Sequence, residues 1–129
     1  MKLIVGGAFC GKEIFVKETY HVEPHDCDRV TAFSCPAVSN LQDLLKDILL
    51  QGGDTDHFIE KLICENPNAI ILCDEIGMGI VPMDRDERCW REAVGRACCA
   101  LSKKADEVVR VVCGLPVYLK GQNRDVSVL

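Results

Sequence analysis

An α/β fold, built on a mostly parallel sheet flanked by helices, is predicted by three features of the sequence. Short apolar runs alternate with segments of helical periodicity, the pattern of right-handed βαβ units. Ala69-Ile70-Ile71-Leu72-Cys73 is a continuous apolar run, as a strand covered on both faces requires. Near the start, the apolar Lys2–Val5 segment passes through a glycine-rich loop, Gly6–Gly11, into a stretch readable as a helix.

The elements follow in order. Lys2–Val5 reads as the first strand, and Lys12 to about His21 as a short helix weakened by its β-branched residues. Glu23-Pro24-His25-Asp26 is a turn signal. Arg29–Cys35, with Val30, Ala32 and Phe33, reads as a second strand stopped by Pro36. Ser39 is placed to cap a helix from Asn40 to about Leu50, where Leu41, Leu44, Leu45 and Ile48 form one apolar stripe. Gly52-Gly53 ends that helix. Asp54 or Thr55 caps the next, running to about Glu65 with Phe58, Ile59, Leu62 and Ile63 apolar. After the 69–73 strand come Asp74-Glu75 and a Gly77–Pro82 loop. A long helix from about Asp84 to Lys104 and a strand at Val108–Cys113 complete the order.

The chain has 129 residues, of which 48% are hydrophobic, enough for one domain with a real core. Residues 1–121 are read as that domain and 122–129 as a tail. A net charge of −5 argues against nucleic acid and anionic membranes as partners, since both favour a basic face. It does not argue against small phosphates, which local backbone N–H groups hold. No apolar stretch approaches the ~20 residues of a membrane helix. Met1–Val5 is too short for a signal peptide, so a cytoplasmic location is expected. The nine cysteines form no C-x-x-C pair, so no structural zinc is expected; they read as reduced thiols.

Gly6-Gly7-Ala8-Phe9-Cys10-Gly11-Lys12-Glu13 follows the phosphate-loop pattern G-x-x-x-x-G-K-[ST] up to its last position. Loop N–H groups and the helix dipole attract phosphate, and Lys12 supplies a point charge. All eight residues are therefore candidates for nucleotide binding, within a P-loop NTPase-like fold. The last position normally carries the hydroxyl that ligates Mg²⁺. Glu13 stands there instead. Two like charges ~4 Å apart cost about 1 kcal/mol in water and more at lower dielectric, so Glu13 should weaken triphosphate binding or pair with Lys12. Cys10, at a helix N-terminus, is a candidate reactive thiol. The alternative reading is a glycine-rich turn that takes only a stray anion.

Asp74-Glu75 places two carboxylates at the end of a central strand, where open α/β sheets bind ligands. Strand alternation points them apart, so one faces the site. Arg85, Arg88, Arg91 and Arg96 alternate with acids, as on a solvated helix face. His57 reads as a surface residue and Cys98-Cys99 as helix packing.

The C-terminal half carries a resemblance. Glu75-Ile76-Gly77-Met78-Gly79-Ile80-Val81-Pro82 resembles the E-V-G-x-G-I-V-P signature of the bifunctional adenosylcobinamide kinase/adenosylcobinamide-phosphate guanylyltransferase family. Arg85, Arg88, Trp90-Arg91-Glu92 and Gly95-Arg96 resemble its R-x-x-R-x-F-R-D-x-x-G-R helix. Ala105–Val108, Val111–Gly114 and Leu119-Lys120 resemble its A-D-E-V-x-x-V-V-x-G segment and terminal L-K-G strand. The N-terminal loop is similar to its G-G-A-R-S-G-K-S.

The resemblance implies a P-loop fold, often trimeric. It implies phosphorylation of adenosylcobinamide by ATP or GTP, then GMP transfer through a guanylylated histidine. Mg²⁺ would accompany the nucleotide, the partners would be a nucleotide and a corrinoid, and Glu75 is the acid it favours at the site. Lys12 and Glu75 are thus the candidate catalytic residues; no metal ligands are assigned.

The departures are equally specific. Glu13 replaces the family serine, and the family's strand-end acid falls near Ser34. Only 16 residues separate Lys12 from Arg29, which shortens the fold by about one βα unit and removes the histidine-bearing helix. His21 and His25 match no motif there, and the asparagine of the family's G-R-x-N is Cys98. Guanylyl transfer is therefore not expected. A non-catalytic nucleotide- or corrinoid-binding homologue and a ligand-free structural remnant are the alternatives.

Overall fold

A computed structural model describes residues 1–76 and 84–121. Among these, the strands are β1 (Lys2–Gly6), β2 (His25–Asp26), β3 (Ala37–Ser39), β4 (Ile70–Asp74), β5 (Glu107–Val112) and β6 (Leu115–Lys120). The helices are α1 (Lys12–Tyr20), α2 (Leu41–Leu50), α3 (Thr55–Glu65) and α4 (Arg85–Lys104). They form one sheet in the order β2-β3-β4-β1-β5-β6. Every pairing is parallel except β5 with β6. This is the mostly parallel α/β architecture the alternation predicts.

The two faces of the sheet carry two apolar clusters. Residues one apart in a strand point to opposite faces. Leu3, Val38, Ile71, Cys73 and Val108 therefore face α2, α3 and α4, which contribute Leu41, Leu45, Ile48, Phe58, Leu62, Val94 and Leu101. Ile4, Ala37, Ile70, Leu72, Val109 and Val111 face the other way, onto Phe15 and Val16 of α1. The helical stripes read from the sequence are the buried faces: Leu41, Leu44, Leu45 and Ile48 of α2, and Phe58, Ile59 and Leu62 of α3.

Of the two caps expected from the sequence, the one at Asp54 forms and the one at Ser39 does not, and Asp84 adds a third that was not foreseen. The carboxylate of Asp54 accepts from His57 N at 3.1 Å, and that of Asp84 from Glu87 N at 2.7 Å. Ser39, however, does not cap α2. It is the last residue of β3, and the N-cap is Asn40, held at φ 56°.

The expected Arg29–Cys35 strand is not formed. Asp28 Oδ1 accepts from Val30 N and Thr31 N, both at 2.8 Å, and Thr31 Oγ1 accepts from Asp28 N at 2.9 Å. These local bonds wind the chain into a 3₁₀ turn at Thr31–Phe33 instead of leaving it free for a ladder. Asn66 Nδ2 then donates to Ala32 O and Cys35 O, each at 2.9 Å. Phe33 packs on Phe58 with ring centroids 5.4 Å apart. The apolar residues thus serve packing, and the strand begins two residues past the cysteine, at Ala37. Ser34 consequently lies after a turn, exposed, and not at the carboxyl end of a strand.

The sequence-derived loop at Gly77–Pro82 and the tail at 122–129 lie outside the described residues.

Candidate functional site

The site is built at the carboxyl ends of β1 and β4. β1 terminates at Gly6, opposite Asp74 of β4, and the ladder continues through a bond from Glu75 N to Gly6 O at 2.7 Å. Gly6 is required here. A Cβ at this position would lie 2.5 Å from Cys10 Sγ and 2.6 Å from Val111 O. The chain then turns through Gly7–Gly11 into α1, whose first-turn N–H groups have no acceptor within the helix. Gly11 sits at φ 96°, a left-handed conformation that glycine adopts freely. Phe9 is also left-handed, at φ 60°, and its side chain is fully exposed.

The loop rests on the turn between β5 and β6. Gly114 N donates to Cys10 O at 2.8 Å, and a Cβ on Gly11 would come within 3.3 Å of Gly114 Cα.

Lys12 folds back into this cradle. It is only 5% exposed. Its Nζ lies 2.6 Å from Asp74 Oδ1 and donates to Gly7 O at 2.9 Å. Cys10 Sγ is 3.8 Å away. The anticipated Lys12–Glu13 pair is absent: Lys12 is matched by Asp74, while Glu13 reaches across to β3 and accepts from Ser39 Oγ at 3.2 Å.

The strand-end acids separate as alternation requires, with their roles in the geometry reversed from the sequence expectation. Asp74 shares the α1 face with Ile70 and Leu72 and points at the loop. Glu75 points to the other face, where Arg110 Nε and Nη2 donate to it at 2.8 and 3.2 Å. The reason is register. With Gly6 opposite Asp74, it is Asp74 that falls on the side from which α1 descends.

Gln42 supports this arrangement from α2. Its Oε1 accepts from Asp74 N at 2.9 Å and its backbone carbonyl accepts from Trp90 Nε1 at 2.8 Å. Asn40 Nδ2 donates to Asp26 Oδ1 at 2.8 Å. Burial, together with the nearby Asp74 and Asp26 carboxylates, holds the Asp43 carboxyl above the ordinary aspartate range.

Among the described residues, no three His, Cys, Asp or Glu side chains converge to hold a metal ion. Mg²⁺ bound with a nucleotide asks for less, since phosphates and water supply most of its ligands beside one or two carboxylates. Asp74 and Glu13 are the carboxylates at the loop, so the donor set fits magnesium only as part of a nucleotide complex.

The remaining candidates stand apart. His21, His25 and His57 are exposed. Arg85 and Arg88 are exposed on α4, and Arg96 pairs with Asp56 of α3 at 3.1 Å. The thiols of Cys73 on β4 and Cys98 on α4 lie close enough to interact, which pushes Cys73 up and Cys98 down. Three contacts escaped the sequence reading: Lys12–Asp74, Ser39–Glu13 and Arg110–Glu75. The sequence does carry a signal for the first. Asp74 continues the period-two row of Ile70 and Leu72, but only the β1–β4 pairing reveals that this row faces α1.

Two comparisons with known proteins bear on this site. Residues 37–119 match the family model described as cobinamide kinase/cobinamide phosphate guanyltransferase. A 51-residue segment is 43% identical to the bifunctional adenosylcobalamin biosynthesis protein CobU of Salmonella typhimurium, covering 40% of this chain and 28% of that protein. The family match begins at β3, so it takes in Asp74, Glu75 and Arg110 but not the Gly6–Lys12 loop. That loop joins them through the sheet, because β1 is inserted between β4 and β5. With most of its length matched, the chain belongs to the cobinamide kinase/cobinamide phosphate guanyltransferase family.

Proposed function

We propose that this protein binds a nucleoside triphosphate at the Gly6–Lys12 loop and transfers its terminal phosphoryl group to the hydroxyl of a cobinamide-type corrinoid. The observation that carries this reading is the convergence of Lys12 and Asp74 at the end of β1. Phosphoryl transfer relies on positioning and charge neutralisation, not covalent chemistry. On this reading Lys12 leaves Asp74 for the phosphates, and Asp74 and Glu13 are the carboxylates that would hold a nucleotide-bound magnesium, which would supply charge neutralisation. Glu75 orients Arg110 at the rim. The Salmonella typhimurium relative is called bifunctional, but no described histidine lies at this loop, so the guanylyl step is not part of the proposal.

A second reading, binding without catalysis, is favoured by one observation: Glu13 occupies the position of the loop hydroxyl and is exposed. Calorimetry with ATP and GTP, each with and without Mg²⁺, tests both readings together. Micromolar Mg-dependent binding is expected, and no heat with either nucleotide overturns them. A product assay with adenosylcobinamide separates the two, since turnover sinks the binding-only reading. Lys12→Ala should remove activity; unchanged turnover would falsify the assignment. Glu13→Ser should strengthen Mg-nucleotide binding by severalfold, and an unaltered affinity would clear Glu13 of blame.

A further inference from the structure

We propose that Cys27 and Cys35 form an oxidation-sensitive thiol pair, which closes into an intrachain disulfide when the protein meets a peroxide. Cys27 lies just beyond β2 and Cys35 just before β3, two strands that are neighbours in the sheet. Cys27 Sγ donates to His25 O at 3.4 Å, and Cys35 Sγ to Ala37 O at 3.1 Å. Adjacent strands are about 4.8 Å apart, so both sulfurs are drawn to one seam. His25 lies opposite Val38 in the register, so the His25 and Ala37 carbonyls that the two thiols meet belong to neighbouring rungs of that seam.

The segment between them is held in shape. Asp28 closes the 3₁₀ turn, and Asn66 grips the carbonyl of Cys35 at 2.9 Å. Both cysteines are partly exposed at the edge of the larger apolar cluster. A peroxide can therefore reach them. The other contacting pair, Cys73 and Cys98, differs in that Cys73 is wholly buried.

The chemistry balances. The Cys35 thiol gives up its proton, its thiolate attacks one peroxide oxygen, the O–O bond breaks, and the departing hydroxide takes that proton, leaving a sulfenic acid and one water. The Cys27 sulfur then attacks that of Cys35, loses its proton, and releases a second water as the S–S bond forms. Two thiols are oxidised and the peroxide is reduced to water. Burial and the Cys35 thiol push the Cys27 thiol up to about 12, which keeps it protonated and leaves the first attack on peroxide to Cys35. The product fastens the β2–β3 edge, which carries Asp26, Asn40 and Ser39 beside the phosphate loop.

Trypsin reads the outcome directly, because Arg29 lies between the two cysteines. The intact protein is treated with hydrogen peroxide, alkylated and digested. Fragments 18–29 and 30–46 should then be recovered joined, about 2 Da below their summed mass. A Cys35→Ser protein should give no joined fragment. Recovery of the two fragments unlinked, at a peroxide dose that has oxidised Cys64 or Cys113, overturns the proposal. Cys27 joined to a different cysteine overturns it equally.

Discussion

Single residues set the quality of the phosphate loop. Gly6→Ala drives a methyl group into Cys10 Sγ and Val111 O. A cost of about 1–3 kcal/mol is expected, as for overpacked sites, together with loss of nucleotide binding. Urea denaturation and calorimetry check the pair, and wild-type stability with intact binding would contradict it. Asp74→Ala strands the buried Lys12 ammonium and should cost about 3 kcal/mol. Asp28 offers a pH test. Its carboxyl is held below the ordinary aspartate range by N–H groups of Thr31 and Val30 and by the Thr31 hydroxyl. A depressed folded pKa stabilises the fold above the unfolded value of about 3.9, and that stability is lost as pH falls through the lower folded value. Amide protection of Val30 and Thr31 should therefore decline in acid, and Asp28→Asn should remove the pH dependence. At this scale the sequence was a partial guide. Gly6, Gly11 and Lys12 stand out by spacing alone. The partners Asp74, Ser39 and Arg110 do not, because each depends on which strands lie side by side.

Elements were legible where one physical pattern dominated. The apolar stripes of α2 and α3 repeat at the helical period and are buried as read. Leu45→Ala should cost about 2–5 kcal/mol in a thermal or urea melt, since the side chain is wholly buried between helix and sheet. Asp54→Ala should cost about 1 kcal/mol through the lost cap at His57 N. The 29–35 segment was misread because Val30, Ala32 and Phe33 satisfy strand alternation. Asp28 and Asn66, whose polar bonds shape the turn, lie outside that window. The last strand was legible only in part. Leu119-Lys120 matched the family's terminal strand, whereas the residue pattern closes the order with the Val108–Cys113 strand. In the structure Cys113-Gly114 is a tight turn followed by an antiparallel return.

For the whole molecule, the balance of charge decides what the loop can hold. The chain is acidic overall, and Asp26, Asp43, Asp74 and Glu13 gather at the carboxyl-end edge of the sheet around Lys12. Free phosphate anions should bind weakly and magnesium complexes better. Asp43→Asn should raise affinity for a metal-free nucleotide, measured by calorimetry at low salt where screening is least. An unchanged affinity would show that Asp43 is too well solvated to matter.

The seat of the loop on the β5–β6 turn has a consequence for its persistence. Proteins open in cooperative pieces, and a segment can be no more durable than the piece it leans on. The Cys10–Gly114 bond and the close approach of two glycine backbones make that hairpin the scaffold of the phosphate cradle. Each spontaneous opening of the hairpin should dissolve the cradle as well. In hydrogen exchange the amides of Cys10, Gly11 and Gly114 should then share one opening free energy.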